Sequence, residues 1–163
     1  NKKIDEKYRY YLPKLYSVDE INVEEQYKTA HLSEDWETMK EVIKELYPED
    51  YVLSIELFKK KEFYPLNMMI VRKEIFDDYC EWLFSILFEV EKRIQISNNV
   101  YQARVFGFLS ERLMRVYIEK KKLKVKEVKV LKIDENGNIE IKNKFLNSLK
   151  KRIKWMKSLL KIN

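Results

Sequence analysis

Glycine and proline are scarce, with two and three among 163 residues. Turn punctuation is therefore sparse and periodic charged–apolar runs dominate, so helix is expected to exceed strand. A single cysteine, Cys80, excludes an internal disulfide. Its apolar neighbours make it a small core residue of a protein in a reducing compartment, and the expected location is cytoplasmic. No apolar run reaches eighteen residues and no signal-peptide pattern opens the sequence, so no spanning helix is expected. Cysteine pairs, HExxH, a glycine-rich loop and Asp-x-Asp are all missing, which argues against a self-contained metal or nucleotide site.

What is present is ample apolar material for one core, 45% hydrophobic with 13% aromatic, and an uneven charge. Residues 1–119 hold 18 Lys/Arg against 23 Asp/Glu, net −5; residues 120–163 hold 15 against 4, net +11. Basicity confined to the tail points to an anionic surface as partner, nucleic acid or phospholipid headgroups.

The stretch Asn99–Glu119 organises the remainder. At helical spacing Val105, Phe106, Leu109, Leu113, Val116 and Tyr117 form a core-facing stripe. Arg104, Glu111 and Arg115 stand opposite around Phe108, with Glu111 and Arg115 at the i,i+4 distance of an ion pair. Gly107 in mid-helix costs about 1 kcal/mol relative to alanine, which close approach by a backbone or ligand would explain. The alternative is a solvated face with one helix contact at Gly107.

Elsewhere, residues 1–22 read as irregular or briefly extended chain broken by Pro13. A short helix starts at Val23. Ser33 is a good N-cap for a helix whose inward stripe is Trp36, Met39, Val42, Ile43 and Leu46. Pro48 ends it and suits the first turn of the next. Leu66–Val71 reads as a buried strand. Lys73–Ile94 reads as the longest helix, with Phe84 and Phe88 widening its apolar face as if it were covered on more than one side. From Lys120 alternating residues to Ile133 suggest exposed strands and a hairpin turn around Gly137. The last piece reads as a basic amphipathic helix.

Among candidate site residues, His31 is the lone histidine. With Asp35 it could form a pair at a helix mouth where free N–H groups meet an anion or sugar hydroxyls, although a lone histidine is commonly a structural hydrogen-bonding residue. Asn67, an amide inside an apolar strand, must find a partner in neighbouring backbone or in a substrate.

Gln26-Tyr27, His31, Asp35, the segment FYPLNMMIVRKEIFDDYCEWLFSILFEVEKRI and YQARVFGFLSERL together resemble the C-terminal part of a bacterial family of capsular and exopolysaccharide glycosyltransferases, first described as a domain of unknown function. The likeness covers residues 9–119. It implies an α/β, helix-dominated fold: the C-terminal portion of a GT-A-like glycosyltransferase with few strands. Residues 1–119 would be the acceptor-side portion, and residues 120–163 a basic strand or hairpin arm with an amphipathic helix. The implied reaction transfers a sugar from a nucleotide-sugar donor to a growing capsular, exopolysaccharide or lipopolysaccharide glycan. The implied roles are catalytic for Asp35 and Glu111, either of which could deprotonate an acceptor hydroxyl, and substrate-binding for Gln26, His31, Asn67, Arg104 and Arg112. Either Arg104 or Arg112 could offset diphosphate charge. The competing reading of Glu111 and Arg112 is an ion pair that orients the helix. The family's donor-binding half and acidic metal motif have no counterpart here. The nucleotide-sugar, with or without a divalent metal, is therefore expected to need a full-length protein, and no cofactor or metal ligand is assigned to this chain.

Lys150, Lys151, Arg152, Lys154, Trp155 and Lys157 of the basic helix are expected to rest on the inner face of the cell membrane, each cation contributing on the order of 1 kcal/mol on anionic lipid. Packing on the domain with a solvated lysine face competes with that. From a different class, the chain could be a non-catalytic helical module using its tail on nucleic acid or an anionic membrane. Nucleic acid is the weaker partner, since no recognised motif and only Phe145 and Trp155 accompany the charge. A stable remnant without activity is the third alternative.

Overall fold

The structure, a computed structural model, describes residues 10–131, 133 and 135. The chain divides between Lys129 and Val130, and every element named below precedes that division. The proposed membrane residues Lys150, Lys151, Arg152, Lys154, Trp155 and Lys157, and the turn around Gly137, lie outside the described residues.

The tyrosine-rich opening contains β1 (Tyr10–Pro13), which is the middle strand of a sheet ordered β4-β1-β5. Strand β4 (Ile70–Val71) runs antiparallel to β1, with Tyr10 opposite Val71. Strand β5 (Val125–Val128) runs parallel to it, with Tyr10 opposite Val125. A parallel pair needs a long crossover, and here all five helices fill it. Of the irregular or briefly extended chain expected at the N-terminus, residues 10–13 take the extended form, as the central strand of a sheet. Tyr10 and Leu12 are fully buried and every residue of β1 is covered. A strand enclosed on both faces shows no polar–apolar alternation to betray it. A second ladder joins β2 (Tyr16–Ser17) to β3 (Glu62–Phe63), with the Tyr16 and Phe63 rings edge to face at 5.7 Å. The strand foreseen in the basic arm is β5, integral to the first sheet.

Helix α1 (Val23–Ala30) is capped by Asn22, whose Oδ1 accepts from the Glu25 amide at 2.8 Å. Helix α2 (Ser33–Leu46) begins one residue earlier than expected. Ser33 is its first helical residue, and the cap position is Leu32, which offers no side-chain acceptor to the first turn. Helix α3 (Pro48–Phe58) places Pro48 in its first turn, where a missing N–H costs nothing. Helix α4 (Lys73–Glu91) is the longest, ending short of Ile94.

Helix α5 (Val105–Lys120) follows a 3-10 turn at Gln102–Arg104. Its expected stripe is buried, apart from a half-buried Phe106. The opposite face is only partly solvated: Phe108 is 8% exposed and Arg112 4%, while Arg104 and Gly107 are exposed. The helix packs against α2, α3, α4 and β3 at once, and a central helix of this kind has no single solvent face for periodicity to reveal. Asp50 of α3, buried, accepts from Trp82 Nε1 (3.2 Å) and Lys120 Nζ (2.5 Å), tying three helices together.

Two further expectations fail. Leu66–Val71 is not one strand, because Leu66 (φ 77°) and Asn67 (φ 45°) form a left-handed turn before β4. Phe84 and Phe88 are not covered; they stack on each other at 5.5 Å, 43% and 58% exposed. Cys80 is half-buried rather than enclosed.

Candidate functional site

The start of α2 and residues 93–98, which follow α4, line a polar cleft of about 470 Å³. Asp35, in the first turn of α2, lines it beside Glu34 and Thr38, and Gln95, Ser97 and Asn98 face them from the irregular segment after α4. Asp35 is 6% exposed. Burial first, and then the neighbouring Glu34 charge, raise its carboxyl above the ordinary aspartate range. Its carboxylate makes no hydrogen bond to any described residue. Arg93, also in the lining, is otherwise engaged. It donates to both Glu45 oxygens (3.0 and 2.7 Å) and to Glu89 (2.7 Å), which anchors the segment to α2. Asp35 is therefore a desolvated, unpaired carboxylate facing a polar cavity, the arrangement suited to accepting a proton.

The other candidates collect around Arg112. Its Nη2 donates to Gln26 Oε1 at 2.6 Å, and its Nη1 to the Phe108 carbonyl at 2.8 Å and Glu111 Oε2 at 3.2 Å. Its guanidinium lies over the rings of Phe63 (4.4 Å) and Tyr27 (5.4 Å). Burial pulls its pKa down while Glu111 and nearby tyrosines hold it up, and an arginine remains a cation throughout. The carboxylate of Glu111 is committed at both ends, since Oε1 accepts from the Leu66 amide at 3.0 Å and Oε2 meets Arg112. The i,i+4 pair with Arg115 does not form; Arg115 donates instead to the Glu62 carbonyl at 2.5 Å.

His31 is stacked on Phe108 (3.9 Å between centroids) and Tyr101 (5.7 Å), and touches Tyr27 at 4.8 Å. Burial and then the Arg112 charge lower its pKa, against a hydrogen bond with Gln102, so the ring is neutral at pH 7. No His31–Asp35 hydrogen bond forms; Nδ1 of His31 is buried without a partner. Tyr27 is the neighbour the two share: Asp35 pushes its phenol pKa up, secondary to burial, and Arg112 opposes. Tyr27 Oη, Trp36 Nε1 and Arg112 Nε are also buried without partners. Arg104 is exposed, its guanidinium 5.4 Å above the Phe108 ring. Asn67 is exposed, its Nδ2 donating to the Gly107 carbonyl at 3.0 Å.

Gln26, Glu111 and Arg112 are thus joined by direct contacts, with His31 and Arg104 sharing Phe108 beside them. Asp35 stands in the neighbouring cleft and Asn67 on a different recess. Thr38, Gln95, Ser97 and Asn98 escape the sequence reading: Thr38 is one polar residue on the flank of α2, and the short polar stretch holding the other three carries no periodic signal. Among the described residues no three His, Cys, Asp or Glu side chains assemble as a metal-ligand set.

Residues 2–122 match the family described as "Domain of unknown function (DUF4422)". No curated protein matches the chain. Among solved structures, that of the WbbM bifunctional glycosyltransferase in its apo form is similar, with 35% identity over 76% of this chain and a TM-score of 0.72. The match takes up 24% of the WbbM chain, so this chain spans about a quarter of that protein's length. The chain belongs to the DUF4422 family and shares its fold with part of a glycosyltransferase.

Proposed function

We propose that residues 1–119 are the acceptor-side portion of a glycosyltransferase and that Asp35 is its general base. The observation that carries this is the unpaired Asp35 carboxylate, desolvated at the wall of a polar cleft whose hydroxyl, amide and carboxylate groups suit a sugar. In a single displacement the acceptor O–H gives its proton to Asp35 as its oxygen bonds the anomeric carbon. The bond from that carbon to the donor phosphate breaks, and the nucleoside diphosphate leaves with the electron pair. A raised pKa makes Asp35 the stronger base for that proton. The likeness to part of WbbM supports transferase chemistry; the nucleotide-sugar donor and a glycan acceptor of capsular, exopolysaccharide or lipopolysaccharide type rest on the family resemblance of the sequence.

The remaining residues divide by exposure. Arg104, open to solvent, is assigned to donor phosphate charge. Gln26, His31, Glu111 and Arg112 are assigned to positioning, because their polar atoms are spent on one another or enclosed. Asn67 acts through the Leu66–Asn67 turn. The basic stretch with Lys150, Lys151, Arg152, Lys154, Trp155 and Lys157 is assigned to contact with an anionic membrane. Sedimentation with anionic vesicles should capture the chain and lose it when residues 143–163 are removed; equal capture of both would sink that assignment.

Asp35 is tested by sugar transfer in the protein that carries this domain. Asp35→Asn should lower the turnover number by roughly 10²–10⁴-fold while leaving the fold intact. Unchanged transfer in that variant removes Asp35 from the chemistry.

A further inference from the structure

Helices α4 and α5 leave between them a groove of about 350 Å³ that sugar transfer does not use. Leu83, Phe84 and Leu87 of α4 and Phe106 of α5 form its walls, and no charged residue lines it. Its amide and hydroxyl, Asn67 and Ser110, both donate to the Gly107 carbonyl, at 3.0 and 2.9 Å. Burial raises the pKa of the Tyr79 phenol and of the Cys80 thiol, so both stay neutral. An extended peptide laid here would leave its N–H and C=O groups without partners, at a cost of a few kcal/mol each. A hydrocarbon has no such groups to satisfy.

Gly107 points the same way. A Cβ placed on it meets nothing within 4 Å, so packing does not require glycine and the expected close approach of a backbone is absent. The missing side chain keeps the groove open, at about 1 kcal/mol of helix stability. Around the rim Phe76 and Phe84 are 44% and 43% exposed, and apolar surface gathered at a recess marks a binding site.

We propose that the α4/α5 groove binds a single alkyl or prenyl chain of a monomeric amphiphile, whose polar head stays in solvent. This rests on the groove alone and stands or falls separately from the role of Asp35.

The test uses the whole chain and N-phenyl-1-naphthylamine, an uncharged fluorophore that brightens in apolar surroundings, displaced by decan-1-ol. Saturable binding with displacement is expected. Gly107→Leu, which fills the groove, and Phe84→Glu, which charges its exposed rim, should each weaken it roughly tenfold or more, about 1.4 kcal/mol, with the helical circular dichroism retained. Absent binding, or equal binding by wild type and both variants, overturns the proposal. So does sedimentation as a dimer that Phe84→Glu dissociates, since the groove would then be an interface between copies. Capture by uncharged phosphatidylcholine vesicles that Phe84→Glu abolishes would assign the groove to a bilayer surface and overturn the single-chain site as well.

Discussion

The cleft of about 470 Å³ at Asp35 and the groove of about 350 Å³ between α4 and α5 are similar in size and opposite in construction. The cleft is walled by a helix start and an irregular segment, places where the chain has polar atoms to spare. The groove is walled mainly by side chains on the flanks of two helices, completed by Asn67, Met69 and the bare backbone of Gly107. The Asp35 carboxylate in the first recess has no hydrogen-bond partner among the described residues, whereas Asn67 and Ser110 in the second both donate to the Gly107 carbonyl. Desolvation therefore acts differently in each: it raises the proton affinity of Asp35, and it leaves the groove inert.

Loss of transfer in Asp35→Asn is the sharpest way to break that contrast, at roughly 10²–10⁴-fold. The next effect is on stability. Arg112→Met removes five contacts of the guanidinium, to Gln26, the Phe108 carbonyl, Glu111 and the Phe63 and Tyr27 rings, and leaves Gln26 and Glu111 short of a donor. Urea denaturation should register a loss of about 3 kcal/mol. A loss below about 1 kcal/mol would mean the cluster is not the strut between α1 and α5.

The apolar recess gives the opposite sign. Gly107→Ala adds a methyl to open space and removes the helix penalty of glycine, so the midpoint should rise by an amount equivalent to about 1 kcal/mol. A fall would show that the groove closes around Gly107 in solution.

Legibility in the sequence followed the same division. The helices carrying the groove were foreseen because their apolar residues recur every three to four positions, and Lys73, Pro48 and Val23 start helices as expected. What failed there was the assumption that each apolar face is covered: Phe84 and Phe88 are open. The strand β1 is legible only as a brief extended stretch because Tyr10 and Leu12 are enclosed on both sides, and the turn at Leu66–Asn67 is hidden because Asn67, a residue type that tolerates positive φ, stands in an apolar run that reads as strand, beside a leucine that gives no such sign. Arg112 stands out through the family likeness alone, whereas helical spacing already marks Glu111 and the helix mouth beside His31 marks Asp35, the likeness adding their roles. Their division into one free carboxylate and one tied pair depends on Leu66 and Gln26, both far away along the chain.

The smallest effect is a pH dependence in which the two sides of Tyr27 pull against each other. His31 has a folded pKa below its unfolded value of about 6.5, because burial and Arg112 disfavour the imidazolium. The unfolded chain then binds more protons, so the stability His31 contributes is present above about pH 6.5 and is lost as pH falls through that value toward the folded pKa. Asp35 has a folded pKa above its unfolded value of about 3.9, since burial disfavours its carboxylate. Its contribution is present below the unfolded pKa and lost as pH rises through the folded one. Thermal midpoints from pH 8 to pH 5 should therefore fall for the wild type and flatten in His31→Phe, which keeps an aromatic ring against Phe108. An unaltered slope in His31→Phe would mean that the imidazole is not held neutral, and would return it to the groups available to bind an anion.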